Sequence, residues 1–152
     1  MRLALAALPA ATSATASPTG FKLRIKGRIS GGDISLDQKA LAAIGTVELV
    51  TRTPWSEGEL RFSGVPFKDL SAALGFAGED VVLRALNEYS VRTTVETLVE
   101  EALVAFEIGG RPIPVREKGP LWVVFPWSRR RDLDEPSTQS LSIWQLQTIE
   151  IP

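Results

Sequence analysis

Residues 102–125 read ALVAFEIGGRPIPVREKGPLWVVF and carry three clear strand patterns. Ala102 to Ile108 and Arg111 to Val115 flank Gly109-Gly110, a pair typical of a two-residue hairpin turn, because glycine adopts positive φ without strain. Leu121 to Phe125 is a short apolar run of the kind that forms a fully buried strand. This stretch therefore predicts a hairpin followed by a buried strand.

Further strand patterns lie on both sides of this stretch. Residues 21–26 alternate between apolar and basic side chains, which is the period of a half-buried strand. The other predicted strands are Thr46 to Thr51, Leu60 to Val65, Val81 to Leu86, Tyr89 to Val95 and a closing strand, Ile143 to Ile151. Neither a repeat nor a linker divides them, so we expect a single β-rich domain of the α+β class.

Two helices are predicted between these strands. A capping box framed by Ser35 and Gln38 predicts a first helix, which Gly45 ends. Pro66 suits the first position of a second helix, which Gly75 closes.

Residues 126–140 are polar and are predicted to form a long surface loop. Within this loop, Arg129-Arg130-Arg131 is interpreted as a solvated face. The alternative is a docking patch for an acidic partner or for anionic lipid headgroups.

The composition excludes several function classes. The 152 residues contain no Cys and no His, so disulfides, thiolate or imidazole metal ligands and Ser–His–Asp or Cys–His catalysis are ruled out. The 17 basic residues balance 18 acidic ones, which argues against a dedicated nucleic-acid binder, because that function needs a basic face. We assign no catalytic residue and no metal ligand.

The first residues have the pattern of a secretory signal. Met1 and Arg2 are followed by an apolar run from Leu3 to Ala11, and Ala14-Thr15-Ala16 has the small-x-small pattern of a cleavage site. We predict a signal peptide over residues 1–16, a domain over residues 17–152, and a periplasmic or secreted protein without a membrane span in its mature chain. The alternative is an ordinary cytosolic start.

Five segments, in this order, carry a resemblance to a known family. They are VELVT (47–51), GVPFKDL (64–70), ALNEYSV (85–91), GGRPIPVREKGPLWVVFP (109–126) and SIWQL (142–146). The chain resembles the oxidoreductase molybdopterin-binding domain family, which has the fold of the sulfite oxidase catalytic domain, and it is most similar to short exported members.

The resemblance implies a molybdopterin cofactor, whose molybdenum is held by one Cys thiolate in catalytic members. The matching position here is Thr51 or a neighbour, and a Thr hydroxyl cannot replace a soft thiolate. An Asn-Arg-Arg type stretch that helps hold the cofactor is replaced by residues 52–55, and a common His is replaced by Lys118. The scaffold therefore resembles the family, while its redox centre is not visible.

Candidate ligand-binding residues follow from the cofactor-lining segments of the family. We expect one concave site bordered by Arg52, Trp55, Asn87, Tyr89, Arg116 and Lys118. Guanidinium and ammonium groups that converge in this way would bind an anion. The alternatives are dispersed surface charges paired with acidic residues, and a plain turn at Asn87-Glu88-Tyr89.

The sequence leaves three functions open. We expect an exported, redox-inactive domain that binds a small anionic ligand or a periplasmic or membrane protein partner, with no cofactor. The second is a true molybdopterin-dependent oxidoreductase with an atypical metal site, so the sequence leaves open whether the protein is an enzyme. The third is a structural interaction module of a membrane sensor or redox complex.

Overall fold

A computed structural model describes residues 20–152. The predicted signal peptide, residues 1–16, lies outside this range. The strands are, in chain order, β1 (Leu23–Gly27), β2 (Ile34–Leu36), β3 (Val47–Arg52), β4 (Glu59–Pro66), β5 (Asp80–Ala85), β6 (Ser90–Thr94), β7 (Leu103–Ile108), β8 (Arg111–Pro112), β9 (Trp122–Val124) and β10 (Leu146–Ile151). The helices of this range are α1 (Gln38–Ile44), α2 (Phe67–Leu74), α3 (Val95–Glu101) and α4 (Pro136–Leu141), with a 3₁₀ turn at Arg131–Leu133.

The first sheet is antiparallel and is built around the predicted hairpin. Its order is β9-β7-β4-β3, and β8 also pairs with β7. Gly109 and Gly110 have φ values of 61° and 79°, so the turn is a glycine turn as predicted. All three residues of β9 are buried, which confirms the buried strand.

The second sheet has the order β2-β1-β10-β5-β6. The pairing of β10 with β1 is parallel, and the other pairings are antiparallel. The two sheets meet where residues 121–123 lie beside residues 143–146. There the Val123 amide donates to the Ile143 carbonyl (2.9 Å), the Leu146 amide donates to the Leu121 carbonyl (3.0 Å), and Trp122 forms an antiparallel bridge with Trp144.

Each predicted helix is present, but its N-terminal cap differs from the prediction. The cap of α1 is Asp37, whose carboxylate accepts from the Ala40 amide (2.8 Å), and not Ser35. Asp37 lies directly before the helix, where its short carboxylate reaches the first free amides. Pro66 lies one residue before α2 rather than at its first position, because β4 runs as far as Pro66.

Two helices that the sequence analysis missed are α3 and α4. The run of Thr and Val residues at 91–95 was interpreted as one strand, but Thr94 caps α3 by accepting from the Thr97 amide (3.1 Å). The predicted loop at 126–140 instead contains the 3₁₀ turn and α4, and its first two residues are buried. The closing strand begins at Leu146 and not at Ile143, because residues 143–144 pair with β9.

The buried side chains form one core between the two sheets and the first three helices. Its largest fully buried members are Trp122, Trp127, Phe62, Phe67, Leu23, Ile25, Leu41, Leu70, Leu83, Leu98, Leu121 and Leu146. They come from both sheets and from α1, α2 and α3, so the described residues share a single core. The β-rich α+β class and the single domain predicted from the sequence are confirmed.

Candidate functional site: a tryptophan-walled cleft

Four tryptophans meet at the junction of the two sheets. The Trp55 ring centroid lies 5.3 Å from that of Trp144, 5.9 Å from that of Trp127 and 6.1 Å from that of Trp122. Trp127 is fully buried, whereas Trp55 is 40% exposed. Trp55, and not Trp127, therefore lines the cavity described below.

The turn that carries Trp55 is held by its own hydroxyl groups. The Thr53 and Ser56 hydroxyls are 3.0 Å apart, and the Ser56 hydroxyl also accepts from the Thr53 amide (3.0 Å). The Thr53 hydroxyl in turn accepts from the Trp55 amide (3.1 Å). Because Thr53 is buried, this network fixes the backbone on which Trp55 stands.

A cleft of about 240 Å³ opens beside Trp55. It is lined by Trp55, Ala85, Asn87, Tyr89, Gln139, Ser140, Ser142, Ile143 and Trp144, and none of these side chains is charged. These residues come from the loop after β3, the β5–β6 turn, α4 and the segment before β10. The cleft therefore lies between the sheets rather than on one element.

The β5–β6 turn presents two of the cleft residues. The Asn87 side-chain oxygen accepts from the Tyr89 amide (3.1 Å), and the residue with positive φ is Glu88 (71°) rather than Asn87. The Tyr89 hydroxyl donates to the Ser140 carbonyl over 3.4 Å. Asn87-Glu88-Tyr89 is thus a turn and also lines a cavity, so the two interpretations do not exclude each other.

Lys118 lies on the other side of Trp55. It lines a second cavity of about 140 Å³ together with Glu117, Trp55 and Trp122. Its ammonium nitrogen is 5.2 Å from the Trp144 ring centroid and 5.5 Å from that of Trp122. These distances are typical of cation–π contacts, so the lysine interacts with two of the tryptophans.

The structure brings together only some of the predicted site residues. Trp55, Asn87 and Tyr89 line the 240 Å³ cleft, and Lys118 lines the adjoining cavity. Arg52 and Arg116 are exposed and line neither cavity. The three cations therefore do not surround one concave site.

The sequence analysis missed several cleft residues for identifiable reasons. Gln139 and Ser140 belong to α4, which was interpreted as loop, so nothing in the pattern directed them toward the cleft. Trp144 was not among the predicted site residues, and it is half-buried and lines the cleft. The signal that pointed to it was the number of tryptophans, four in 152 residues.

Thr51 stands where the resemblance implies a molybdenum ligand, and its hydroxyl and that of nearby Thr53 are both hydrogen-bonded within the protein. Thr51 is 0% exposed, and its hydroxyl donates to the Arg52 carbonyl (2.8 Å) and accepts from the Ser128 amide (2.9 Å). The Thr53 hydroxyl is engaged in the turn described above. Within residues 20–152 no cluster of His, Cys, Asp or Glu could hold a metal ion. The residues present therefore do not fit a thiolate-bound molybdenum centre.

The arginine run lies away from the cleft and is largely paired. Arg129 and Arg130 each contact Glu101 (2.7 Å), and Arg130 also contacts Asp132 (2.8 Å). The hydrogen bonds that Arg130 donates to Asp132 and Glu101 raise the pKa of Arg130, and those to Asp132 lower the pKa of that carboxyl. The ion pairs with Glu101 tie this loop to α3 at the protein surface.

Comparisons with known proteins agree with this architecture. A family model described as "oxidoreductase molybdopterin binding domain" matches residues 11–129. The crystal structure of the sulfane dehydrogenase SoxCD from Paracoccus pantotrophus is similar, with a TM-score of 0.62 and 12% sequence identity. The match covers 86% of this chain and 38% of that one, so this chain spans well under half of that protein's length. At this identity the likeness shows the fold alone. A search of curated protein sequences found no match.

Proposed function

The chain belongs to the oxidoreductase molybdopterin-binding domain family, and from that premise we propose that it is a redox-inactive member that binds a small ligand in the tryptophan-walled cleft. The observation that carries the proposal is the state of the Thr51 hydroxyl. It is buried, and it both donates and accepts a hydrogen bond within the protein, so it is a protonated, internally bonded hydroxyl rather than a free metal ligand. The cleft remains as the concave surface on which the scaffold can act.

Ligand binding is supported by the chemistry of the cleft wall. Aromatic rings from Trp55, Tyr89 and Trp144 stand beside the amides of Asn87 and Gln139. Small-molecule sites commonly combine apolar walls with a few polar groups in this way. The expectation that the ligand is anionic has less support, because Lys118 is the only one of the three predicted cations that lines a cavity next to Trp55.

Docking of a protein partner is the second candidate. Leu86, Tyr89 and Trp55 are exposed apolar side chains on the turns that carry the cleft. Exposed apolar surface of this kind favours an interaction, for example with a membrane sensor or a redox complex. A partner seated there would cover the cleft and would compete with a small ligand.

Export to the periplasm or the medium is also a proposal. It rests on the signal-like pattern from Met1 to Ala16. In residues 20–152 no helix is long and apolar enough to span a membrane. The test is N-terminal sequencing of the protein purified from its native host, where we expect the mature chain to start at Ser17.

Elemental analysis tests the absence of a redox centre. The full chain is purified from its native compartment, and molybdenum is measured against protein concentration. We expect far less than one molybdenum per chain, and about the same for Thr51→Cys, because a single thiol does not rebuild the cofactor contacts. About one molybdenum per wild-type chain would contradict the proposal and favour an oxidoreductase that takes a ligand from another subunit.

A further inference from the structure

We infer that the cleft between Trp55 and Tyr89 selects an uncharged small molecule with a flat ring system of one or two rings. This inference rests on the proposed ligand-binding function and narrows its ligand class. The volume of about 240 Å³ lies below the ~300–1,000 Å³ typical of sites for drug-sized ligands, which sets the size limit.

The charge of the lining argues against an ionic ligand. All nine lining residues are uncharged, and Lys118 lines the adjoining cavity rather than this one. A carboxylate or phosphate bound here would lose hydration without gaining a cationic partner. A cationic ligand would likewise lose hydration, because no carboxylate lines the cleft.

The ring geometry favours a flat ligand. The Trp55 and Trp144 rings are nearly perpendicular, at 88°, with centroids 5.3 Å apart. A planar ligand that stacks on one of these faces presents its edge to the other ring. Offset stacking and edge-to-face contact are the two preferred arrangements of aromatic pairs, so one pose satisfies both.

The polar groups of the cleft match a neutral amide or heterocycle. The Asn87 side-chain oxygen is engaged by the Tyr89 amide, and the Gln139 side-chain nitrogen donates to Asp134 (2.8 Å). Within residues 20–152 the Asn87 Nδ2 donor and the Gln139 Oε1 acceptor have no protein partner. One donor and one acceptor are therefore available, which suits a ligand that carries both.

The backbone beside the cleft is held in an unusual conformation. Glu88 and Gln145 have φ values of 71° and 56°, and they are the two non-glycine residues with positive φ in the described chain. Glu88 lies between Asn87 and Tyr89, and Gln145 follows Trp144. Strained backbone of this kind is concentrated at binding sites, where the surrounding structure maintains it. Both residues are thus sequence neighbours of residues that line the cleft.

A matched pair of probes tests the ligand class. Quinoline-3-carboxamide and quinoline-3-carboxylate have nearly the same shape and differ in charge. Each is titrated into the full wild-type chain by isothermal calorimetry and by ligand-observed NMR. We expect the carboxamide to bind about tenfold more tightly than the carboxylate, because no cationic side chain lines the cleft to pair with the desolvated carboxylate.

Three variants locate the binding. Trp55→Ala should weaken carboxamide binding about tenfold, which is the size of one lost stacking contact. Lys118→Met should leave carboxamide affinity within about twofold, because the ammonium does not line the cleft. Leu86→Ala, an exposed apolar side chain on the same turn as Tyr89 that does not line the cleft, is the matched control and should also bind normally.

Two outcomes would overturn the inference. Tighter binding of the carboxylate, abolished by Lys118→Met, would overturn the uncharged ligand class and leave the ligand-binding function standing with an anionic ligand. Absence of binding for both probes in the millimolar range would overturn the ring-binding cleft. Failure of the redox-inactive assignment has a separate readout, which is the molybdenum content of the purified protein.

Discussion

The two sides of the Trp55 turn differ in how their polar groups are used. On the β3 side, Thr51 and Ser128 form a reciprocal clasp: the Thr51 hydroxyl accepts from the Ser128 amide, and the Ser128 hydroxyl accepts from the Arg52 amide (2.9 Å each). On the cleft side, the Asn87 donor and the Gln139 acceptor have no partner within residues 20–152. One side is closed by its own hydrogen bonds, while the other is open to a ligand.

This difference is what the proposal of a ligand-binding site without a redox centre rests on. The family fold brings the end of β3, the β5–β6 turn and the segment before β10 together. In this chain a hydroxyl clasp and Trp55 fill the part of that junction next to β3, so its groups are satisfied internally. The cleft beside it is preserved because aromatic rings and amides line it.

Removal of the buried Trp122 ring should have the largest effect. Trp122 is 2% exposed, and its ring centroid lies 5.4 Å from that of Phe62. Its indole nitrogen donates to the Ser142 hydroxyl (2.9 Å). We expect Trp122→Ala to lower the free energy of unfolding by about 3–5 kcal/mol. Trp55→Ala should cost only about 1–2 kcal/mol, because its ring is partly exposed. Equal losses of unfolding free energy for the two variants in urea denaturation would contradict the distinction between the buried Trp122 and the partly exposed Trp55.

Loss of the clasp hydroxyl should have the next largest effect. Thr51→Val keeps the side-chain shape but leaves the Ser128 amide without its partner, so we expect a loss of about 1–3 kcal/mol. Thr148→Val is a matched control, because Thr148 is half-buried in β10 and its hydroxyl makes no hydrogen bond within residues 20–152. Chemical denaturation of both variants makes the comparison. A Thr51→Val variant as stable as Thr148→Val would show that the clasp contributes nothing.

Removal of the ammonium over the tryptophans should have a smaller effect. Lys118→Met removes the cation–π contacts with Trp122 and Trp144, which we expect to contribute about 0.5–1 kcal/mol at this half-buried position. Arg116→Met, an exposed residue of the same loop that lines neither cavity, serves as the control and should change little. Intrinsic tryptophan fluorescence should shift for Lys118→Met only. The same shift in both variants would argue against a specific contact.

The smallest effect on stability is expected from loss of the Arg130–Asp132 ion pair, which lies away from both the clasp and the cleft. The folded-state pKa of Asp132 is lowered by Arg130, so its ion pair stabilises the fold above the usual Asp pKa. That contribution is lost as the pH falls through the lowered pKa. The melting temperature of wild type should therefore exceed that of Asp132→Asn slightly at pH 6, and the difference should shrink as the pH falls below the usual Asp pKa.

Glu57→Gln is the control for this pH series. Glu57 is exposed and forms no ion pair within residues 20–152, so its replacement should leave the melting temperature almost unchanged at every pH. A difference between wild type and Asp132→Asn that grows on acidification would contradict the assigned direction of the pKa. A large difference at pH 6 would indicate that ion pairs, rather than the Thr51–Ser128 clasp, hold the 126–135 segment.

Much of the fold could be predicted because its signals are local. The Gly109-Gly110 turn, the buried run at 121–125 and the glycines that end α1 and α2 each depend on a few neighbouring residues. The errors arose where a local pattern had two solutions. Thr94-Val95 suits a strand as well as a helix start, and α4 is a short polar helix with a single buried residue, Thr138. No hydrophobic period could reveal such a helix.

The candidate site could be predicted only in part. The resemblance directed attention to Trp55, Asn87, Tyr89 and Lys118, and the structure places all four at the two cavities beside Trp55. It could not predict that Arg52 and Arg116 lie outside these cavities, because strand and loop registers decide which face an exposed side chain occupies. The absence of Cys follows directly from the composition. The engagement of the Thr51 hydroxyl depends on Ser128, 77 residues away.

The residue types and their spacing established the β-rich class, the family scaffold and the chemistry that is excluded, because composition and short periodic patterns are properties of neighbouring residues. The packing of the two sheets established the rest. It brought the Trp55 ring into contact with the Trp144 ring and the Thr51 hydroxyl into hydrogen-bonding distance of the Ser128 amide. It also placed Lys118 in the adjoining cavity rather than in the uncharged cleft. These relations join residues far apart in the chain, and their distances exist only once the sheets meet at the Trp122–Trp144 bridge.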